Sequence, residues 1–295
     1  MPRFGPVLTA MVTPMDEDGA VDFDGVGTLA KWLVDRGNDA LVVTGTTGEA
    51  SVLTDEEQVD VWRAVRDAVD VPLIVGSGTN DTRHSAHLTA QAAEVGMNGV
   101  LVVTPYYNRP SQAGIEAHFR HVAAATDLPV MLYNIPARTG RLISNEVIWR
   151  LVEDVPNIWA VKDASGNPVE SARLIAEAPA GFELYSGDDA LTLPLLALGA
   201  VGTIGVATHW AAREVGEMIE AFTKGEVERA AEINARLIES YLFEGSDATP
   251  NPLPTKALLR ALGLPAGECR LPMGPAPDGL EARALEVWRN LGNEG

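Results

Sequence analysis

The segment Gly99-Val100-Leu101-Val102-Val103 is apolar at every position and gives way at once to Thr104-Pro105-Tyr106-Tyr107. A strand with one face in water would alternate polar and apolar residues, whereas a strand with no polar position belongs to a parallel sheet covered on both faces. Seven similar runs flank it. Val7 to Val12, Ala40 to Val43 and Leu73 to Val75 come before it, and Val130 to Tyr133, Ile158 to Val161, Glu183 to Tyr185 and Val201 to Ile204 come after. Stretches such as Thr54 to Val69 and Asp81 to Val95 lie between them, with apolar residues at three- and four-residue spacing. Asp55 and Glu56 open the first of these, where a helix dipole favours acids. Eight such strand and helix units predict an α/β fold, a (β/α)8 TIM barrel. The doubly wound alternative uses fewer strands and a glycine-rich turn, but no GxGxxG follows a strand here and no GxxxxGK motif occurs.

On this reading residues 1–225 form the barrel, and residues 226–295 form a small C-terminal helical extension. The extension has helical pattern over Val227 to Tyr241, over Lys256 to Leu262 after Asn251-Pro252-Leu253-Pro254, and over Leu280 to Leu291. The long uncharged run between Asp189 and Arg213 does not predict a membrane span, because Pro194, Gly199, Gly202 and Gly205 divide it into a short helix, a turn and a buried strand.

Among 295 residues, 41 Asp and Glu oppose 22 Lys and Arg, for a formal charge of -19. Such a chain does not displace counterions from a phosphate backbone and is repelled by anionic membranes, so no nucleic-acid or membrane partner is expected. Its single cysteine, Cys269, excludes an intrachain disulfide and reads as a small buried apolar side chain. The N-terminus lacks a long apolar region and a small-residue cleavage site. The expected compartment is the reducing cytoplasm.

A barrel builds its active site at the carboxyl ends of its strands. Those ends carry Thr13, Gly45-Thr46-Thr47-Gly48-Glu49, Gly76-Ser77-Gly78, Thr104 to Tyr107, Tyr133-Asn134, Lys162-Asp163, Ser186-Gly187-Asp188 and Gly205, a set of small, hydroxylic or ionisable groups. Lys162 is the informative one, because it ends the buried run Ile158 to Val161. Desolvation there favours the neutral amine that attacks a carbonyl, while a lysine snorkelling to solvent fits the local pattern equally well. Tyr133 is either a proton shuttle or a core tyrosine with its hydroxyl on a backbone carbonyl. The histidines do not converge: His84 and His87, and His118 and His121, fall on helices, and His209 follows the eighth run. No metal site is expected.

Taken together, GTTGE (Gly45 to Glu49), TPYYNRPSQ (Thr104 to Gln112), LYNIPARTG (Leu132 to Gly140), VKDASG (Val161 to Gly166), SGDD (Ser186 to Asp189), GTIGV (Gly202 to Val206) and NPLPTK (Asn251 to Lys256) resemble the dihydrodipicolinate synthase family over nearly the whole chain. The wider family includes N-acetylneuraminate lyase and sugar-acid aldolases. The resemblance implies a lyase in the diaminopimelate route to lysine, condensing pyruvate with L-aspartate 4-semialdehyde and needing no cofactor beyond a covalent pyruvate imine on Lys162. It implies that Tyr133 relays protons, with Thr46 as its hydrogen-bonding partner and Tyr107 entering from a neighbouring subunit. Thr47 and the backbone at Gly187 and Ile204 would hold the pyruvate carboxylate, and Arg138 the carboxylate of the aldehyde. A shared Tyr107 requires at least a dimer, and the family's usual assembly is a homotetramer.

Two alternatives stand beside this. A sugar-acid aldolase or lyase of the same family would want neutral hydrogen-bonding groups where this chain has Ala137-Arg138-Thr139-Gly140, and a barrel that merely binds a keto acid would dispense with the lysine or tyrosine. Lysine-inhibited relatives hold L-lysine at positions that fall here at Ala50, Ser51, Asp55, Gln58, Asn80, His84 and Tyr106. Asp55, Gln58 and His84 depart from that pattern, so weak or absent inhibition is expected.

Overall fold

The computed structural model of the chain describes residues 2–292, so residues 293–295, the end of the extension read from the sequence, lie outside it. Eight strands form one closed parallel barrel in chain order. They are β1 (Val7–Ala10), β2 (Ala40–Val43), β3 (Leu73–Gly76), β4 (Gly99–Val103), β5 (Val130–Asn134), β6 (Ile158–Asp163), β7 (Glu183–Ser186) and β8 (Gly202–Gly205). Nearly every strand residue is buried, as expected where helices cover one face and the barrel core the other. The helices between the strands are α1 (Phe23–Asp35), α2 (Asp55–Ala68), α3 (Thr82–Val95), α4 (Gln112–Ala123), α5 (Pro136–Thr139), α6 (Asn145–Asp154), α7 (Pro168–Glu177) and α8 (Thr192–Leu198). After β8 come α9 (Thr208–Thr223), α10 (Val227–Phe243), α11 (Leu253–Ala261) and α12 (Leu280–Asn290).

By contact density the described chain divides into two compact units: residues 2–3 with 73–204, and residues 4–72 with 205–292. In the first, β3 to β8 pair in sequence, and β5 lies beside β6 with Tyr133 opposite Lys162 and Asn134 opposite Asp163. The sequence ends the sixth run at Val161, but the ladder continues through Lys162 and Asp163, because parallel hydrogen bonding uses only the backbone.

In the second unit β1 pairs with β2. Asn38 is buried between elements and donates to Leu33 O at 2.9 Å and Thr208 O at 3.3 Å. Helix α2 starts where the sequence places its acids, with a capping box in which Thr54 Oγ1 accepts from Glu57 N and Glu57 returns the bond to Thr54 N. The uncharged run divides as expected: α8, a left-handed Gly199 at φ 108°, and then β8. Among the described residues no helix is long and apolar enough to cross a membrane.

Candidate active site

In the first unit, the ends of β5, β6 and β7 bring Tyr133, Lys162 and Gly187 together. Lys162 is 4% exposed and Tyr133 6%. Their opposed register sets Lys162 Nζ 4.5 Å from the centroid of the Tyr133 ring. An amine at that distance meets the negative face of the ring, which steadies its charged form and leaves it beside an aromatic wall when neutral. Gly187 follows β7, and its amide donates to Asp163 O at 2.8 Å. A Cβ at Gly187 would stand 3.0 Å from both Cγ and Cε of Lys162, so the bare backbone there makes room for the lysine stem. Asp163, on the opposite alternation, is buried behind the site. Its Oδ2 accepts from Ser171 Oγ at 2.5 Å and its Oδ1 from Ser165 N at 3.0 Å, and Asn134 Oδ1 accepts from Ile143 N at 3.0 Å. These bonds fix the loops after β5 and β6, and thereby the direction of the inward neighbours Tyr133 and Lys162.

The other members of this unit's set are placed differently. Arg138 lies on α5, a single turn closed by Thr139 Oγ1 donating to Ile135 O and capped by left-handed Gly140, and its side chain is exposed. Tyr107 is 89% exposed and left-handed at φ 71° on the loop after β4. That loop is anchored by Asn108 Nδ2 donating to Asn80 O and Arg141 Nε donating to Arg109 O. Positive φ on a bulky residue is strained and persists where its surroundings hold it. Ile204 is fully buried on β8.

Thr46 and Thr47 follow β2 in the second unit. Thr46 is exposed, whereas Thr47 is buried and its Oγ1 accepts from Asn251 Nδ2 at 2.9 Å. The loop between them and α2 is pinned by groups to which the sequence analysis assigns no role. Glu49 is left-handed at φ 58°, with Oε1 2.5 Å from Lys256 Nζ and Oε2 accepting from Arg270 N at 2.8 Å. The Arg270 guanidinium holds Glu57 in a two-pronged ion pair at 2.6 and 2.9 Å, and the bond to Arg270 holds the Glu57 carboxyl below its usual range. Glu49, Asn251 and Lys256 stand inside the quoted motifs GTTGE and NPLPTK. The signal was there: a lysine amid Leu253, Pro254, Ala257, Leu258 and Leu259 is a buried charge in need of a partner.

Two further buried titratable groups are His209 and Cys269. His209 is fully buried, accepts from Val12 N at Nε2 and bonds Val206 O through Nδ1, and burial pushes its pKa down to about 4. Cys269 is buried, and burial followed by the nearby Glu49 charge pushes its thiol up to about 12, which makes it inert.

Residues 3–285 match the model of the dihydrodipicolinate synthetase family. The chain belongs to that family. A relative from Moorella thermoacetica, called 4-hydroxy-tetrahydrodipicolinate synthase, is 48% identical over 273 residues, covering 92% of both chains. One of the same name from Acidothermus cellulolyticus is 49% identical over 285 residues, covering 96% of this chain and 91% of the other. Among solved structures, the dihydrodipicolinate synthase of Cyanidioschyzon merolae, crystallised with lysine bound, superposes with a TM-score of 0.96 at 43% identity and 99% coverage of both chains. The match to the dihydrodipicolinate synthetase family spans all eight strands and runs into α12.

Proposed function

We propose that this chain is a Schiff-base lyase that condenses pyruvate with L-aspartate 4-semialdehyde to give 4-hydroxy-tetrahydrodipicolinate, the diaminopimelate branch of lysine synthesis. The observation that carries this reading is Lys162, a buried amine at the carboxyl end of a barrel strand with Tyr133 in register beside it. Relatives bearing the name of that activity, aligned over more than nine-tenths of the chain, support it.

The chemistry follows from the groups present. Lys162 Nζ attacks C2 of pyruvate, water leaves, and the resulting iminium acts as an electron sink that acidifies the methyl group. Loss of a methyl proton gives an enamine, whose carbon adds to the aldehyde carbon of the second substrate. The amine of that substrate then attacks the imine carbon, closing the ring and expelling Lys162 as the free amine. No external cofactor is required. Tyr133 moves the protons, with Thr46 and a neighbouring subunit's Tyr107 as partners of its hydroxyl. Thr47 and the backbone at Gly187 and Ile204 receive the pyruvate carboxylate, and Arg138 receives that of the aldehyde, for which a planar guanidinium is suited. These roles are carried over from the family motifs. A Tyr107 that is 89% exposed on the single chain fits a role completed by a second copy, and we assign at least a dimer and a homotetramer as the full assembly, working in the cytoplasm.

The test is intact-protein mass after borohydride reduction with pyruvate, followed by peptide mapping. One adduct per chain at Lys162 is expected, and none in Lys162→Arg, whose guanidinium offers no neutral amine. An unmodified Lys162 peptide after trapping refutes the mechanism.

A further inference from the structure

The Schiff-base chemistry uses one buried lysine, but two are buried among the described residues, Lys162 and Lys256. Lys256 on α11 has no exposed side-chain surface, and it is ion-paired with Glu49, whose side chain is 2% exposed. Its Nζ also donates to Glu268 O at 3.1 Å. A buried ion pair is a poor way to gain stability, since apolar residues of similar volume often serve as well, so its location asks for another explanation.

That location is the loop after β2. Thr44 and Glu49 stand at the two sides of Thr46 and Thr47, both in left-handed backbone at φ 50° and 58°, a conformation that residues other than glycine hold only under constraint. The constraints are visible one by one. Trp62 Nε1 donates to Thr44 Oγ1 at 2.7 Å, and Thr13 Oγ1 donates to Gly48 O at 2.7 Å. Gly48 admits no side chain without shifting its neighbours, because a Cβ would lie 3.0 Å from Met11 O and from Thr44 Cα. Asn251 Nδ2 reaches Thr47 Oγ1 itself, and Lys256 and Arg270 N grip the two oxygens of Glu49. Helix α11 and the turn before it therefore hold the loop from two directions. The charges matter as well as the geometry. A free carboxylate at Glu49, two residues from Thr47, would oppose an incoming anion, and Lys256 cancels it.

We propose that Lys256 is a positioning residue for pyruvate capture, setting the Thr46-Thr47 loop and neutralising Glu49 through their buried ion pair. This rests on the assignment of the pyruvate carboxylate to Thr47. It also gives the helices after β8 a task in the reaction, which their distance along the chain from Lys162 conceals.

The test compares Lys256→Met, Glu49→Gln and the double variant Glu49→Gln/Lys256→Met with the wild-type chain, reading KM for each substrate, pyruvate dependence of borohydride trapping, and melting temperature. Because Lys256→Met strands a buried carboxylate and Glu49→Gln a buried ammonium, and either can unfold the chain, the double variant, which removes both charges, carries the decision. We expect KM for pyruvate, and the pyruvate concentration that half-saturates trapping, to rise about tenfold to a hundredfold, the scale set by small misplacements of positioning groups. KM for aspartate semialdehyde should stay within about twofold, since no contact with that substrate is lost. Folded variants that trap pyruvate at wild-type concentrations, whatever their melting temperature, overturn the proposal by leaving the pair a structural role only. A wild-type chain that forms no pyruvate adduct at all overturns instead the functional reading on which it rests.

Discussion

Replacing Gly187 by alanine tests the geometry of the nucleophile without touching its chemistry. Gly187 has ordinary backbone, so the new methyl group meets only a packing problem: its Cβ would stand 3.0 Å from Lys162 Cγ, 3.0 Å from Lys162 Cε and 3.0 Å from Ala164 Cβ. Carbon pairs settle at about 3.5 to 4.0 Å, so each must retreat by roughly half an ångström. Ala164 has no rotamer to change and follows a strand held by its neighbours, so the lysine stem takes most of the displacement. Overpacking of this kind costs about 1 to 3 kcal/mol, a fall of a few degrees in melting temperature for a chain of this size. Misplacing a reacting group by about 1 Å costs on the order of a hundredfold in rate, so a shift of Nζ by half that distance predicts about a tenfold loss. The assay is the rate of adduct formation with saturating pyruvate under borohydride, alongside calorimetry. The amide of residue 187 keeps its bond to Asp163 O and Thr47 is untouched, so pyruvate affinity should change less than the trapping rate. Wild-type trapping in a stably folded Gly187→Ala chain would show that the Lys162 stem is not confined there, and the reasoning would fall.

Arg138→Ala should lower kcat/KM for aspartate semialdehyde by about tenfold to a hundredfold, the worth of a charge-assisted contact, while pyruvate trapping is unchanged; equal losses in both would assign Arg138 a structural role. Acid should destabilise the fold early. His209 and His118 are buried, and burial holds both near a pKa of about 4, well below the unfolded value of about 6.5. The unfolded chain therefore binds protons that the folded chain refuses, so stability is full above pH 6.5 and is lost as pH falls toward 4, by up to about 3 kcal/mol for each histidine. Denaturant titrations at pH 7 and 5.5 read this before the carboxylates titrate, and a flat profile would contradict it. L-Lysine should inhibit weakly or not at all at neutral pH, because Asp55, Gln58 and His84 depart from the pattern of lysine-sensitive relatives; half-inhibition at submillimolar lysine in a steady-state titration would overturn this.

The barrel was legible because its physics is local. Every residue of Val100 to Val102 is buried, as a strand without polar positions must be, and Thr54 caps α2 just before the acids that mark its start. What escaped was of two kinds. Helix α5 has four residues, too few for any periodicity, and is set by Pro136 at its start, the Thr139 hydroxyl and left-handed Gly140 at its end. The supports of the β2 loop escaped for the opposite reason: each is a pairing between residues far apart in the chain, such as Asn251 with Thr47 or Arg270 with Glu49. Local pattern cannot signal these, although the motif letters can pose the question of what a buried charge is doing there.

Lys162 and Lys256 show what separates the two cases. Both are buried lysines, 4% and 0% exposed, and burial alone would make either a candidate nucleophile. Lys256 is ion-paired, with a carboxylate oxygen 2.5 Å away, so its charge is engaged where it stands. Lys162 stands at the carboxyl end of β6 with the face of the Tyr133 ring 4.5 Å from its Nζ, a neighbour that tolerates the amine in either protonation state. The contrast bears on how a chain of formal charge -19 handles two anionic substrates. Long-range repulsion is screened within about 8 Å at physiological ionic strength, so the overall charge is felt little in the pocket, and the groups within that radius decide. On our reading Arg138 and Thr47 each receive a carboxylate, and Lys256 has already cancelled the charge of Glu49 two residues from Thr47.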